Sequence, residues 1–180
     1  LVGTDFEGSL RTKSYLIGDI IALVPNATAQ YVFQIKGTSY DIQSPSGNTA
    51  LKVEFGATQT STNVEILSSG NVVFSTAGNY LVNTFISVTR VTTRNISVFA
   101  FRALINGVQV GDPKVFKISE AGLLTPYELT VPVVANANDI LTYEIMKDSS
   151  GNDSGRLEGT NLLGWVGTTP SAQIEVWKNV

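Results

Sequence analysis

The stretch NISVFAFRALING, residues 95–107, decides how this chain is read. As an extended strand its side chains alternate between two faces. One face carries Ile96, Val98 and Ala100, and the other carries Phe99, Phe101, Ala103 and Ile105. The strand runs into Asn106-Gly107, the strongest short-range hairpin signal, and apolar residues resume at Val108 and Val110. An antiparallel strand ordinarily has one dry and one wet face, yet the middle of this one has no obvious wet face. Two phenylalanines left in water would forgo about 2–3 kcal/mol each and leave an aggregation-prone patch. The expected cover is a neighbouring subunit, with loops from the first 36 residues of the same chain as the alternative.

The same pattern extends outward in both directions. β-branched and aromatic residues are spread evenly, with turn residues at short intervals, as in an all-β sandwich or barrel. No long run keeps a helical apolar period with caps at both ends. Strands are expected at 50–56, 62–67, 70–76, 79–90, 94–105, 108–110 with 114–118, 126–134, 139–147, 160–166 and 172–178. Residues 1–36 differ: a polar opening precedes SYLIGDIIALV and QYVFQIK, two strands about a Pro25-Asn26 turn. A boundary is placed near residue 37, with residues 1–36 as an attachment segment and 37–180 as the main domain. The first part is too small to hold a core alone.

Composition narrows the function classes. The 180 residues are 43% apolar and 15% charged, with a net charge of -3, which argues against a nucleic-acid partner. No apolar run approaches the roughly 18 residues that span a bilayer, so no membrane insertion is expected. The chain contains neither cysteine nor histidine. Disulfides and thiolate metal sites are thereby excluded, and the commonest general base and transition-metal ligand are missing. A non-enzymatic protein without cofactor is expected. The chain opens on Leu1 without a signal-peptide pattern, which reads as a processed product or an expressed fragment.

The order of features then takes on a likeness. Gly78-x-Tyr80 opens a long strand, Asn106-Gly107 makes a turn, and LTVPVV leads through Asn138-Asp139 into ILTYEI; AQIEVWK closes the chain. Over residues 50–180 this resembles the jelly roll of the tumour necrosis factor and complement globular-head superfamily, above all the versions in bacteriophage fibres, spikes and tail knobs. The family's Gly-Asp turn reads Asn138-Asp139 here. The resemblance implies an antiparallel jelly-roll sandwich and a homotrimer in which each subunit presents one sheet to a three-fold axis. It further implies a structural protein on the outer surface of a virion, a head fibre, spike, tail knob or capsid-decorating protein. Such a protein would join other virion proteins through its N-terminal segment and display loops for attachment to a host glycan or protein. The alternatives are a jelly-roll capsid shell protein and a carbohydrate-binding module.

Candidate residues follow. Phe99, Phe101 and Ala103 are expected at the core or the trimer interface. Trp177 sits on the polar side of its strand with Gln173 and Glu175, opposite Ile174 and Val176, which suits an interface or a ligand surface. Trp165 is expected in the core. Asp148, Asn152, Asp153 and Glu158 share one loop and offer oxygen ligands of the kind calcium takes, but their spacing fits no calcium-loop pattern. An exposed binding loop without a resident metal is expected there.

Overall fold

The computed structural model describes residues 30–92, 96–149, 154–160 and 168–180. They form β1 (Tyr31–Ser39), β2 (Leu51–Lys52), β3 (Gln59–Thr60), β4 (Val64–Ile66), β5 (Val72–Phe74), β6 (Gly78–Arg90), β7 (Ser97–Ile105), β8 (Val108–Ile118), β9 (Thr125–Ala135), β10 (Ile140–Lys147), β11 (Gly155–Leu157) and β12 (Ala172–Asn179). Among the described residues there is no helix. One sheet runs β1-β12-β6-β9, with β11 continuing the line of β12 along β6. The other runs β3-β4-β5-β10-β7-β8, with β2 beside β5 on β10. All pairings between these strands are antiparallel. The result is an all-β sandwich in which neighbours in a sheet are mostly distant in sequence, an order compatible with a jelly roll.

The two-residue period of each strand sends one set of side chains between the sheets. Tyr80, Val82, Ile86 and Val88 from β6 meet Phe99, Phe101 and Ala103 from β7 and Leu141, Tyr143 and Ile145 from β10, all buried. Aromatic contacts tie this interior together: Phe101 stacks on Tyr143 at 5.5 Å and Phe55 meets the same ring edge-on at 6.0 Å. At one open side, Phe99 stacks on Phe116, and Phe116 on Tyr127, joining edge strands of opposite sheets. Those edges carry Pro113, Lys114 and Lys117 in β8 and Pro126 and Pro132 in β9, which discourage pairing with further strands.

The expected turns are explained by their backbones. Asn106 and Gly107 both have positive φ, 50° and 81°, the type I′ geometry that matches the twist of β7 and β8. Asn138 adopts φ 71°, so asparagine does there what a glycine would do. The two turns are joined, since Asn106 Nδ2 donates to Asp139 Oδ1 at 2.8 Å and Ile140 N donates to Asn106 Oδ1 at 2.9 Å. That side-chain bond, then the backbone N–H of Asn136, holds the Asp139 carboxyl below its usual range. The Gly78-x-Tyr80 motif has a local cause as well. A Cβ on Gly78 would sit 3.0 Å from the Lys178 side chain, whose ammonium lies 5.6 Å from the Tyr80 ring centre.

Three expectations need correcting. The boundary near residue 37 falls inside β1, which pairs with β12 from Tyr31 to Ser39. Residues 31–36 therefore belong to the sandwich, and the chain divides between Gln30 and Tyr31. Phe99, Phe101 and Ala103 are not a subunit interface. They are about 1% exposed within a single chain, roofed by their own polypeptide; Gly155 of β11 lies so close that an added Cβ would be 2.3 Å from the Phe99 ring. The second face of β7 is half-exposed, carrying Val98, Ala100 and Arg102, so the strand does have a wet side. Finally, the long loop after Lys147 contains a strand, β11, paired with Val88–Arg90. The SYLIGDIIALV segment and Trp165 lie outside the described residues, as does most of the 160–166 strand.

One buried polar residue is fully engaged. Gln43 exchanges side-chain bonds with the backbone of Glu54 and backbone bonds with Leu157. Among the described residues, the Tyr143 and Thr84 hydroxyls, in contrast, find no hydrogen bond of normal geometry. Burial pushes the Tyr143 phenol well above its ordinary range, with the nearby Thr84 hydroxyl acting against that shift.

Two outcomes follow from this packing. Gly155→Ala drives a methyl group into a ring that cannot retreat, and should lower unfolding stability by about 1–3 kcal/mol in a denaturant titration. Tyr143→Phe removes an unsatisfied hydroxyl and should leave the melting temperature unchanged or raise it. The folded state holds the Tyr143 proton to higher pH than the unfolded state does. That contribution is complete below about pH 10 and is lost as pH rises above it, by up to ~1.4 kcal/mol per pH unit. The alkaline slope should therefore be shallower in the variant.

Candidate functional site

With the inner positions committed to the core, the alternation sets what each sheet shows to the outside. In β12, Ile174 and Val176 are fully buried, so Gln173, Glu175 and Trp177 point outward, as their spacing predicts. Trp177 is directly opposite Phe33 of β1 on one side and Leu81 of β6 on the other. Leu81 is opposite Pro132 of β9. Phe33, Trp177, Leu81 and Pro132 thus form one apolar row across four strands, roughly 14 Å long at the usual strand spacing. Phe33 and Trp177 meet edge to face at 5.1 Å, and Phe33 remains 46% exposed. Tyr31 and Val134, at the next outward register, extend the patch, and Val134 is 81% exposed.

The next row inward along the strands is polar. Lys36 Nζ lies 3.5 Å from Glu175 Oε1, and Thr130 donates to Asn83 Oδ1 at 3.0 Å. Gln173 Nε2 adds a bond to Glu175 Oε1 at 3.2 Å. Beyond this belt the face turns apolar again at Phe85, Leu123, Leu124 and Pro126, which border an open hollow of about 480 Å³. The face is therefore apolar at both ends, with a hydrogen-bonded belt between them. It can bind by burial, with the belt setting register.

Of the residues singled out from sequence, Trp177 lies on this face and Phe99, Phe101 and Ala103 do not. Phe33, Leu81 and Pro132 were missed. Each is an outward residue in a readable strand, but the strands are far apart in sequence and only their register brings the four together. Glu158 Oε2 accepts from Arg156 Nε at 2.8 Å, Asp148 follows β10 with its backbone N–H bonded to Val98, and Asn152 and Asp153 lie outside the described residues. Among the described residues no group of three or more acidic side chains could hold a metal ion.

The chain matches no protein-family model and no curated protein sequence.

The outward assignment of this row is testable by charge. Leu81→Lys should keep the β-sheet circular dichroism spectrum of the native protein. Val82→Lys, one residue on, would bury an unpaired charge and should abolish folding. If both fold, or neither does, the face assignment is wrong.

Proposed function

We propose that this chain is a non-enzymatic assembly and display module: a homotrimer of tumour-necrosis-factor-like jelly rolls on the outer surface of a bacteriophage particle. The role envisaged is that of a head fibre, spike, tail knob or capsid-decorating protein. The observation that carries the reading is the apolar row Phe33–Trp177–Leu81–Pro132. A row of this kind gains from being covered, and each large side chain taken out of water contributes about 2–3 kcal/mol. A second and third copy provide that cover in the arrangement the resemblance implies, with one sheet of each subunit turned to the three-fold axis.

The sheet bearing the row contains the first and last strands of the sandwich, β1 and β12, with β6 and β9, and in this reading it is the sheet turned to the axis. Pairing of β1 with β12 also brings Tyr31 next to Asn179, so the chain preceding β1 and the chain's end leave from the same end of that sheet. In this reading the residues before β1 tie the subunit to other virion proteins, and the opposite sheet and the loops face outward to a host surface.

Light scattering of the native chain at micromolar concentration should give a molar mass near three times 19.3 kDa. The double variant Leu81→Glu, Trp177→Glu should give a mass near 19.3 kDa with an unchanged circular dichroism spectrum. A native chain that is monomeric under these conditions would overturn the proposal.

A further inference from the structure

The outer face of the second sheet carries a different arrangement, built wholly within one chain and so independent of whether copies assemble. Three strands lie side by side there: β10, β7 and β8. Glu144 of β10 is directly opposite Arg102 of β7, and Met146 is opposite Ala100, which is opposite Val115 of β8. A charged row thus runs beside an apolar row. Where β8 should continue the charged row, it does not. Phe101 pairs with Lys114 but Ala103 pairs with Val110, so Gly111, Asp112 and Pro113 together stand opposite Arg102. This bulge, with Gly111 at positive φ, takes the backbone out of the ladder. It leaves a cleft of about 290 Å³ between Pro113, Met146, Ala50 and Ala100, with Gln109 at its rim. Bulges commonly re-aim side chains beside binding sites.

The Arg102–Glu144 pair forms the polar side of the cleft. Arg102 donates from both Nε and Nη2 to the same carboxylate oxygen, Glu144 Oε2, at 2.9 and 2.7 Å. Among the described residues, no hydrogen bond occupies Glu144 Oε1 or Arg102 Nη1. The cleft therefore offers a fixed acceptor and a fixed donor side by side, next to a wall of C–H groups. Its two charges cancel, so a charged ligand would have to compete with the pair it needs. A neutral ligand would not. The volume lies at the lower edge of the range for small-molecule sites.

We infer that this cleft binds a single neutral pyranose sugar. Vicinal hydroxyls would bridge Glu144 Oε1 and Arg102 Nη1, the Oε1 of Gln109, whose Nε2 donates to the Gly111 carbonyl at 3.2 Å, would accept from a third, and the C–H face of the ring would lie on Met146 and Pro113. Such a ligand matches each surface of the cleft: planar donor and acceptor on one edge, apolar on the face, and no net charge.

Met146 is the sole methionine of the chain, so a 13C-methyl-methionine label places one resonance in the cleft. Titration of the full chain with the methyl glycosides of glucose, galactose, mannose and N-acetylglucosamine should move that resonance saturably for at least one of them. A dissociation constant on the order of millimolar is expected for a monosaccharide with so few contacts. Glucuronate, which is charged, should leave it in place. Glu144→Gln and Gln109→Ala should each weaken binding at least tenfold while leaving the amide spectrum elsewhere unchanged, and Trp177→Ala, on the opposite sheet, should bind as the native chain does. The inference is overturned if none of the four neutral glycosides moves the Met146 resonance, if glucuronate moves it equally, or if Trp177→Ala loses the response while Glu144→Gln keeps it.

Discussion

Phe101 lies flat on Tyr143 in the middle of the sandwich, and the two residues flanking this contact settle most of what the molecule shows to the outside. Phe101 belongs to β7 and Tyr143 to β10, and the strands pair so that Arg102 faces Glu144. Because successive side chains on a strand point in opposite directions, placing Phe101 and Tyr143 inside places Arg102 and Glu144 outside together. A slip of one residue in either strand would bury a guanidinium or a carboxylate without its partner, at several kcal/mol. Core packing and surface chemistry are therefore one constraint seen from two sides. The same holds across the interior, where Val82 and Val176 buried in register leave Leu81 and Trp177 adjacent on the far surface.

Among the described residues, polar groups within the sandwich mostly follow the ordinary rule of satisfaction, and the Tyr143–Thr84 pair departs from it. Gln43 closes the loop after β1 onto Glu54 and Leu157 with both its side-chain and its backbone groups. Lys178, Asn63 and Thr76 form a bonded group at one side of the sandwich, and Tyr80 donates its hydroxyl to the Thr76 carbonyl. The departing pair, Tyr143 with Thr84, sits at the centre. There the aromatic ring contributes more to packing than its hydroxyl subtracts, since a buried ring of this size is worth several times a lost hydrogen bond.

The two outer faces differ in kind, and this difference organises the functional reading. One presents a continuous apolar row bounded by a polar belt, a surface that gains by being covered and has bonds available to set the covering partner's register. The other presents a small amphipathic cleft around an internally neutralised ion pair, a surface suited to holding something small and uncharged. In the proposed assembly the first face meets copies of the chain and the second is left outward. Assembly and display would then use opposite sheets of one sandwich without competing for residues.

Much of the secondary structure was legible in the order of residues alone. Strands β6, β7, β9, β10 and β12, the Asn106-Gly107 turn and the outward placement of Trp177 all follow from a period of two and from local turn chemistry, both of which act over a few residues. Which face of β7 is dry did not follow, because Val98 and Ala100 are as apolar as a covered face and Phe99 and Phe101 as apolar as either a core or an interface. The membership of β1 in the sandwich was equally hidden, since its partner is the last strand of the chain. The apolar row draws one residue each from positions 33, 81, 132 and 177, and the cleft depends on a bulge opposite Arg102. Alternation is a local property of the extended backbone and can be read along the chain. Register between distant strands is chosen by the packing of the whole interior, and only the folded structure decides it.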